Sequence, residues 1–145
     1  MRCISLSIAI ALVALGCSDL TSSDLVGTYT LATIDGKEPP AVEGGTGGCT
    51  TLLVGGRLEL IPVEAGWSDL VLMRQEDCRA VDGPVTTDSL RYLGVYWLDG
   101  ETLTFQTQLS LEDTLRFSGP VWLGGVTLAM RDTLRGVGEH RLAFF

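Results

Sequence analysis

The chain has 145 residues, 46% of them apolar, with 10 Lys and Arg set against 18 Asp and Glu. A net charge of −8 argues against non-specific binding to nucleic acid, which needs a basic patch, and against peripheral binding to anionic lipid. The plentiful apolar residues exclude disorder, and the length suits one domain with a single core.

The first residues carry an address. Arg2 precedes an almost unbroken apolar run, Ile4 to Leu15, too short to span a bilayer, which needs roughly 20 apolar residues. It has the form of the apolar core of a secretory signal peptide. The run ends Val13-Ala14-Leu15-Gly16-Cys17, and a polar stretch from Ser18 to Asp24 follows at once. This ending resembles the lipobox of bacterial lipoproteins. The resemblance implies cleavage before Cys17, lipidation of its thiol, and attachment by two or three acyl chains; one chain alone binds only marginally. Residues 1–16 are then a signal peptide, 17–24 the lipidated cysteine and a flexible tether, and 25–145 one β-domain. In such lipoproteins Asp after the cysteine implies retention at the inner membrane. Ser18 stands there, so the resemblance implies the cell envelope, at the outer membrane and facing the periplasm. Losing Arg2 with the signal peptide takes the net charge to −9.

The lipobox also organises the cysteines. Cys3 leaves with the signal peptide and Cys17 carries lipid, so Cys49 and Cys78 remain and are expected to form a disulfide in an oxidising compartment. A metal site is the alternative, but two cysteines and one distant histidine do not make a four-ligand zinc shell.

Beyond the tether the apolar pattern has period two, and no 3.6 period persists. It predicts eight strands: residues 27–34, about 50–61, 67–76, 90–98, 101–108, 113–118, 121–130 and 139–145. Residues 37–48, with Pro39-Pro40 and the run Gly44-Gly45-Thr46-Gly47-Gly48, read as a loop, as do the links around 62–66 and 82–84. Asp99-Gly100 suits a type I′ hairpin turn. That turn pairs Tyr96 with Leu103 and Gly94 with Phe105 on an apolar face, and puts Val95, Trp97, Thr102 and Thr104 on a mixed one. Between strands 50–61 and 67–76, keeping Leu58, Leu60, Leu70 and Leu72 on one face requires paired residue numbers to sum to an even value. Cys49 and Cys78 sum to an odd one. Either the bridge is diagonal in the flanking loops, or a bulge intervenes, for which Gly55-Gly56 is the natural place.

These elements predict an all-β fold, an antiparallel up-and-down barrel or curved meander of about eight strands, with a two-sheet sandwich as the alternative. Leu25-Val-Gly-Thr-Tyr-Thr-Leu31, Asp35-Gly-Lys-Glu-Pro-Pro-Ala41 and Gly94-Val-Tyr-Trp-Leu-Asp-Gly-Glu-Thr-Leu-Thr-Phe105 resemble lipocalin-like bacterial lipoproteins. The resemblance implies a barrel that holds a small hydrophobic ligand. Tyr29, Tyr96, Trp97 and Phe105 are the candidate ligand-binding residues, although in a small barrel most such side chains simply fill the interior. Trp97, on the mixed face, is the least suited to a core and can mark a contact surface.

Catalytic patterns are missing. His140 is the single histidine, with no evident partner, and neither a Gly-x-Ser-x-Gly elbow nor a His-Glu-x-x-His helix occurs. The glycine run is not followed by the Lys-Ser/Thr of a phosphate cradle. Glu76, Asp77 and Asp82, with Glu64 and Asp69 before them, lack the spacing of a calcium loop, and Arg79 interrupts them. The expectation is a non-enzymatic protein with no metal and no cofactor. It either carries a small hydrophobic ligand in the barrel or contacts an envelope protein through its outer surface. An interior packed solid by Tyr29, Tyr96, Leu103 and Phe105 would weigh against carriage.

Overall fold

The computed structural model describes residues 21–62, 66–111, 113–122, 124–131 and 139–145. The expected signal peptide, Cys17 and Ser18 to Leu20 lie outside these residues, as does Glu64. Among the described residues nine antiparallel strands form: β1 (Gly27–Ile34), β2 (Ala41–Thr46), β3 (Cys49–Ile61), β4 (Trp67–Asp77), β5 (Val85–Asp99), β6 (Thr102–Gln108), β7 (Thr114–Trp122), β8 (Gly125–Arg131) and β9 (Glu139–Phe144). From β3 to β9 each strand pairs with its sequence neighbour, and β1 pairs with both β9 and β3. Eight strands thus close into an up-and-down barrel, with β2 an extra strand hydrogen-bonded to β3. Closure rules out the two-sheet alternative.

The period-two pattern does what it predicts. Along β6, Leu103, Phe105 and Thr107 are buried and their neighbours are more exposed. Leu58 and Leu70 face each other across β3 and β4, both fully buried. A 3-10 turn, Ser22–Leu25, precedes β1; Thr21 caps it by donating its N–H and its hydroxyl to Asp24 at 2.8 and 2.7 Å. Leu25 is 1% exposed, and its carbonyl accepts the Tyr29 hydroxyl at 2.8 Å, so this turn closes one end of the barrel. We call it the basal end. The link 62–66 and the β5–β6 and β7–β8 turns also lie there. The opposite, distal end carries the turns after β1, β2, β4 and β6.

Four expectations about local structure are corrected. Residues 41–46 are a strand and not a loop. Gly47 and Gly48, at φ 62° and 82°, form the two-residue I′ turn that returns β2 to β3, so glycines read as loop serve as hairpin. The β5–β6 turn uses Gly100-Glu101. Only Gly100 has positive φ (58°), as a type II′ turn requires, and the register moves by two, pairing Tyr96 with Phe105 and Leu98 with Leu103. The faces are those expected, because a shift of two preserves them. β5 starts at Val85 rather than at 90. Finally, β7 runs through Gly119-Pro120 to Trp122, where a break was expected: Pro120 pairs with Thr102, while the β8 ladder is paired at Ser118 and Val121. The missing proline donor interrupts that ladder without ending the strand.

The parity problem resolves at one residue. Thr50 to Leu53 pair with Asp77 to Arg74, the register then shifts, and Gly55 to Ile61 pair with Met73 to Trp67. Val54 is the extra residue, next to Gly55 as expected. Cys49 and Cys78 therefore face each other in register, and they form a disulfide with a Cα–Cα distance of 4.1 Å.

Candidate interaction surface

The four candidate ligand-binding residues do not line one cavity. Phe105 is fully buried and stacks on Phe117 at 5.3 Å, and Tyr92 meets Phe117 edge-on at 5.7 Å. Tyr96 is buried beside them, and Tyr29 is half-buried with its hydroxyl held by Leu25. Burial raises the pKa of both tyrosines. Trp97 points out of the barrel, with the Arg116 guanidinium over its ring at 5.5 Å. Leu103, Val126, Leu128, Leu142 and Phe144 fill the rest of the middle. A shallow recess between β1, β2, β3 and β9, lined by Ile34, Ala41, Val42, Glu43, Leu53 and His140, has no room even for a water molecule. Ligand pockets run to about 300–1,000 Å³.

The feature that sequence reading missed is a flap. β4 and β5 stay paired out to Asp77 and Val85, but β6 joins β5 only from Gly94 to Asp99. The outer parts of β3, β4 and β5, with β2, thus overhang the distal end. The Cys49–Cys78 bridge ties the tip, and Val81 packs where a Cβ on Gly48 would sit. Beside the bridge, Asp77 accepts hydrogen bonds from the Arg79 guanidinium, Nε at 2.9 Å, and then from the Arg79 backbone N–H at 3.0 Å, which hold its carboxyl down at about 2. On the inner face of the flap Arg74 lies between Glu43 and Asp88, at 4.0 and 3.5 Å.

One edge of this flap is open. Tyr96 donates its N–H to Gly66, on the β4 side, while the Leu93 carbonyl accepts the Thr107 hydroxyl at 2.6 Å, on the β6 side. Backbone groups alternate sides along a strand, so Val85, Thr87, Ser89 and Arg91 direct theirs away from β4. Among the described residues no strand pairs there. The edge is polar, and Asp88 takes the Ser89 N–H on its own carboxylate at 2.7 Å. This blunts the edge against indiscriminate pairing.

Of the acidic residues singled out in the sequence, the described ones do not gather into one site. Asp69, on the outer wall, is 4% exposed because Arg91 covers it with two guanidinium contacts, Nε at 3.0 Å and Nη2 at 2.8 Å, and Arg57 lies 3.8 Å away. Asp77 is engaged by Arg79. Cys49, Glu76 and Cys78 come within 4.8 Å of one another, but the disulfide consumes both sulfurs as metal ligands. His140 is tied to Asp35 through Nδ1 at 2.7 Å, and Asp35 also accepts the Arg141 N–H at 2.8 Å. That backbone bond and then the histidine lower the Asp35 pKa. No serine or threonine is hydrogen-bonded to this pair among the described contacts, so it serves to fasten the β1 turn onto β9.

Comparison with protein-family models, with curated proteins and with solved structures finds no match.

Proposed function

We propose that this is a lipid-anchored protein of the bacterial cell envelope that acts by binding and not by catalysis. Its partner is another envelope protein, taken on the open edge of β5. Cys17 carries the anchor, and Ser18 favours the outer membrane, with the domain in the periplasm. The observation that carries the binding reading is the pairing of an aromatic-filled interior with an unpaired strand edge. Among the described residues Phe105, Phe117 and Tyr96 fill the middle of the barrel, which favours its surface over its inside as the place of function. An extended peptide added to β5 would gain main-chain hydrogen bonds from Thr87 and its alternate neighbours. Arg74 and Asp88 would meet its side chains.

Two experiments test this. Cys17→Ser should release the protein from membranes and abolish fatty-acid incorporation; continued fractionation with membranes would refute the anchor. A photo-crosslinking residue at Thr87 should capture a partner in cells, and Pro at Val85, whose N–H also faces away from β4, should remove the adduct, since an edge tolerates proline while its donor is lost. Equal adducts from Thr87 and from Thr30, on the opposite wall, would refute the edge.

A further inference from the structure

All three tryptophans of the chain lie on the outside of the barrel at the basal end. Trp67 is the first residue of β4, Trp122 the last of β7, and Trp97 stands two before the end of β5. In an antiparallel barrel these three positions share one end. Ile61 closes β3, Val26 precedes β1 and Phe145 follows β9, all at the same level. The exposures are 49% for Trp67, 40% for Trp97, 37% for Trp122 and 55% for Phe145. Trp122 and Phe145 lie 5.6 Å apart, and the Trp122 ring occupies the place a side chain at Gly125 would need. Six of the eight barrel strands contribute, so the apolar groups form a rim around the axis and not a patch on one wall.

We propose that this rim docks the basal end on the headgroup region of a lipid bilayer. The shape decides the occupant. A ring of side chains around one end is met simultaneously by a flat surface across the axis, whereas a protein groove would meet one wall. The residue type agrees, because tryptophan collects at membrane interfaces, where its ring is half apolar and its N–H stays wet. The path of the chain agrees as well. Residues 1–20, with the apolar run and Cys17, lead into Thr21 at this end. Four residues from Cys17 to Thr21 reach at most about 14 Å when extended. Asp24, Asp99 and Glu101 are exposed at the same end, so the surface it fits is zwitterionic and not anionic. The docking rests on the lipid-anchor reading for bringing the protein to a membrane, and it adds an orientation: rim down, flap and β5 edge facing away.

The test uses the full-length protein, purified with its own lipid and reconstituted into phosphatidylcholine vesicles whose acyl chains are brominated next to the headgroup. Variants keep one tryptophan each, the others being replaced by Phe, and a control carries Thr87→Trp with all three natural tryptophans replaced. Docking predicts about a two-fold loss of emission for each rim tryptophan, as for an interfacial ring, and none for the flap control. Mass spectrometry of the mature chain reads the anchor separately. An acylated protein that floats with the vesicles but shows no rim quenching overturns the docking and leaves the anchor standing. If the chain is not acylated, added vesicles must still quench the rim, or the docking falls. A rim emission already shifted to the blue without lipid means that residues 4–15 or a second copy cover it, and that too overturns the proposal.

Discussion

Phe105 is one of three phenylalanines wholly inside the barrel. It is fully buried, stacked on Phe117, and lies where a Cβ on Gly94 would come within 2.6 Å of its ring. Nothing nearby can collapse into its place without moving β5. Phe105→Ala is therefore expected to cost about 3–5 kcal/mol, the range for a buried aromatic, read as a lowered midpoint in urea. Asp77 makes the opposite kind of contribution, half-buried and electrostatic. Its folded pKa of about 2 lies below the ordinary carboxylate value, so its stabilisation is present above about pH 4 and is lost as pH falls toward 2. Asp77→Asn should lower the thermal midpoint at neutral pH and narrow the gap to wild type as the pH drops through that window. A gap that stays constant with pH would mean the Arg79 contacts contribute nothing. The readable residues were those whose chemistry is local, such as the cysteines. The Arg91–Asp69 pair was not readable, because 22 positions separate the partners and only the β4–β5 register brings them together.

Among the elements, the disulfide hairpin was the most legible and β2 the least. The odd sum of Cys49 and Cys78 against the even sum of the leucines demands one extra residue, and Val54 supplies it. Replacing both cysteines by Ser should cost roughly 3–4 kcal/mol for a separation of 29 residues in the chain-entropy account, checked by denaturation of the double variant. Thiol labelling of denatured, unreduced protein should find both blocked. β2 escaped because strands rarely hold Gly-Gly, and Gly45 is needed only where its neighbour's backbone, the Cys49 carbonyl, comes within 2.5 Å of a would-be Cβ. The outer half of β5 escaped for a different reason. Val85-Thr-Thr-Asp-Ser89 projects past the core, so both its faces are wet and no alternation marks it as a strand. The candidate edge was invisible in sequence for that same reason.

At the scale of the whole molecule, barrel closure was legible as a class, since eight period-two segments with short links have few other ways to hide their edges. Which strands meet at the seam was not. β1 bypasses β2 to pair with β3 on one side and β9 on the other. At the seam Thr30 donates its N–H to Phe145 at 2.7 Å and accepts one back at 3.0 Å, so nearly the full length of the domain separates two adjacent residues. That has a kinetic consequence. A chain that emerges N-terminus first has β1 ready early with half its hydrogen-bonding partners still to come, and the barrel cannot shut until the last residues arrive. The contacts that close it carry the largest loop entropy in the molecule, which makes closure the slow step of folding. Until then β1 and β8 each present an open edge, so deleting the final six residues should leave a chain that collapses but pairs with its neighbours instead of with itself.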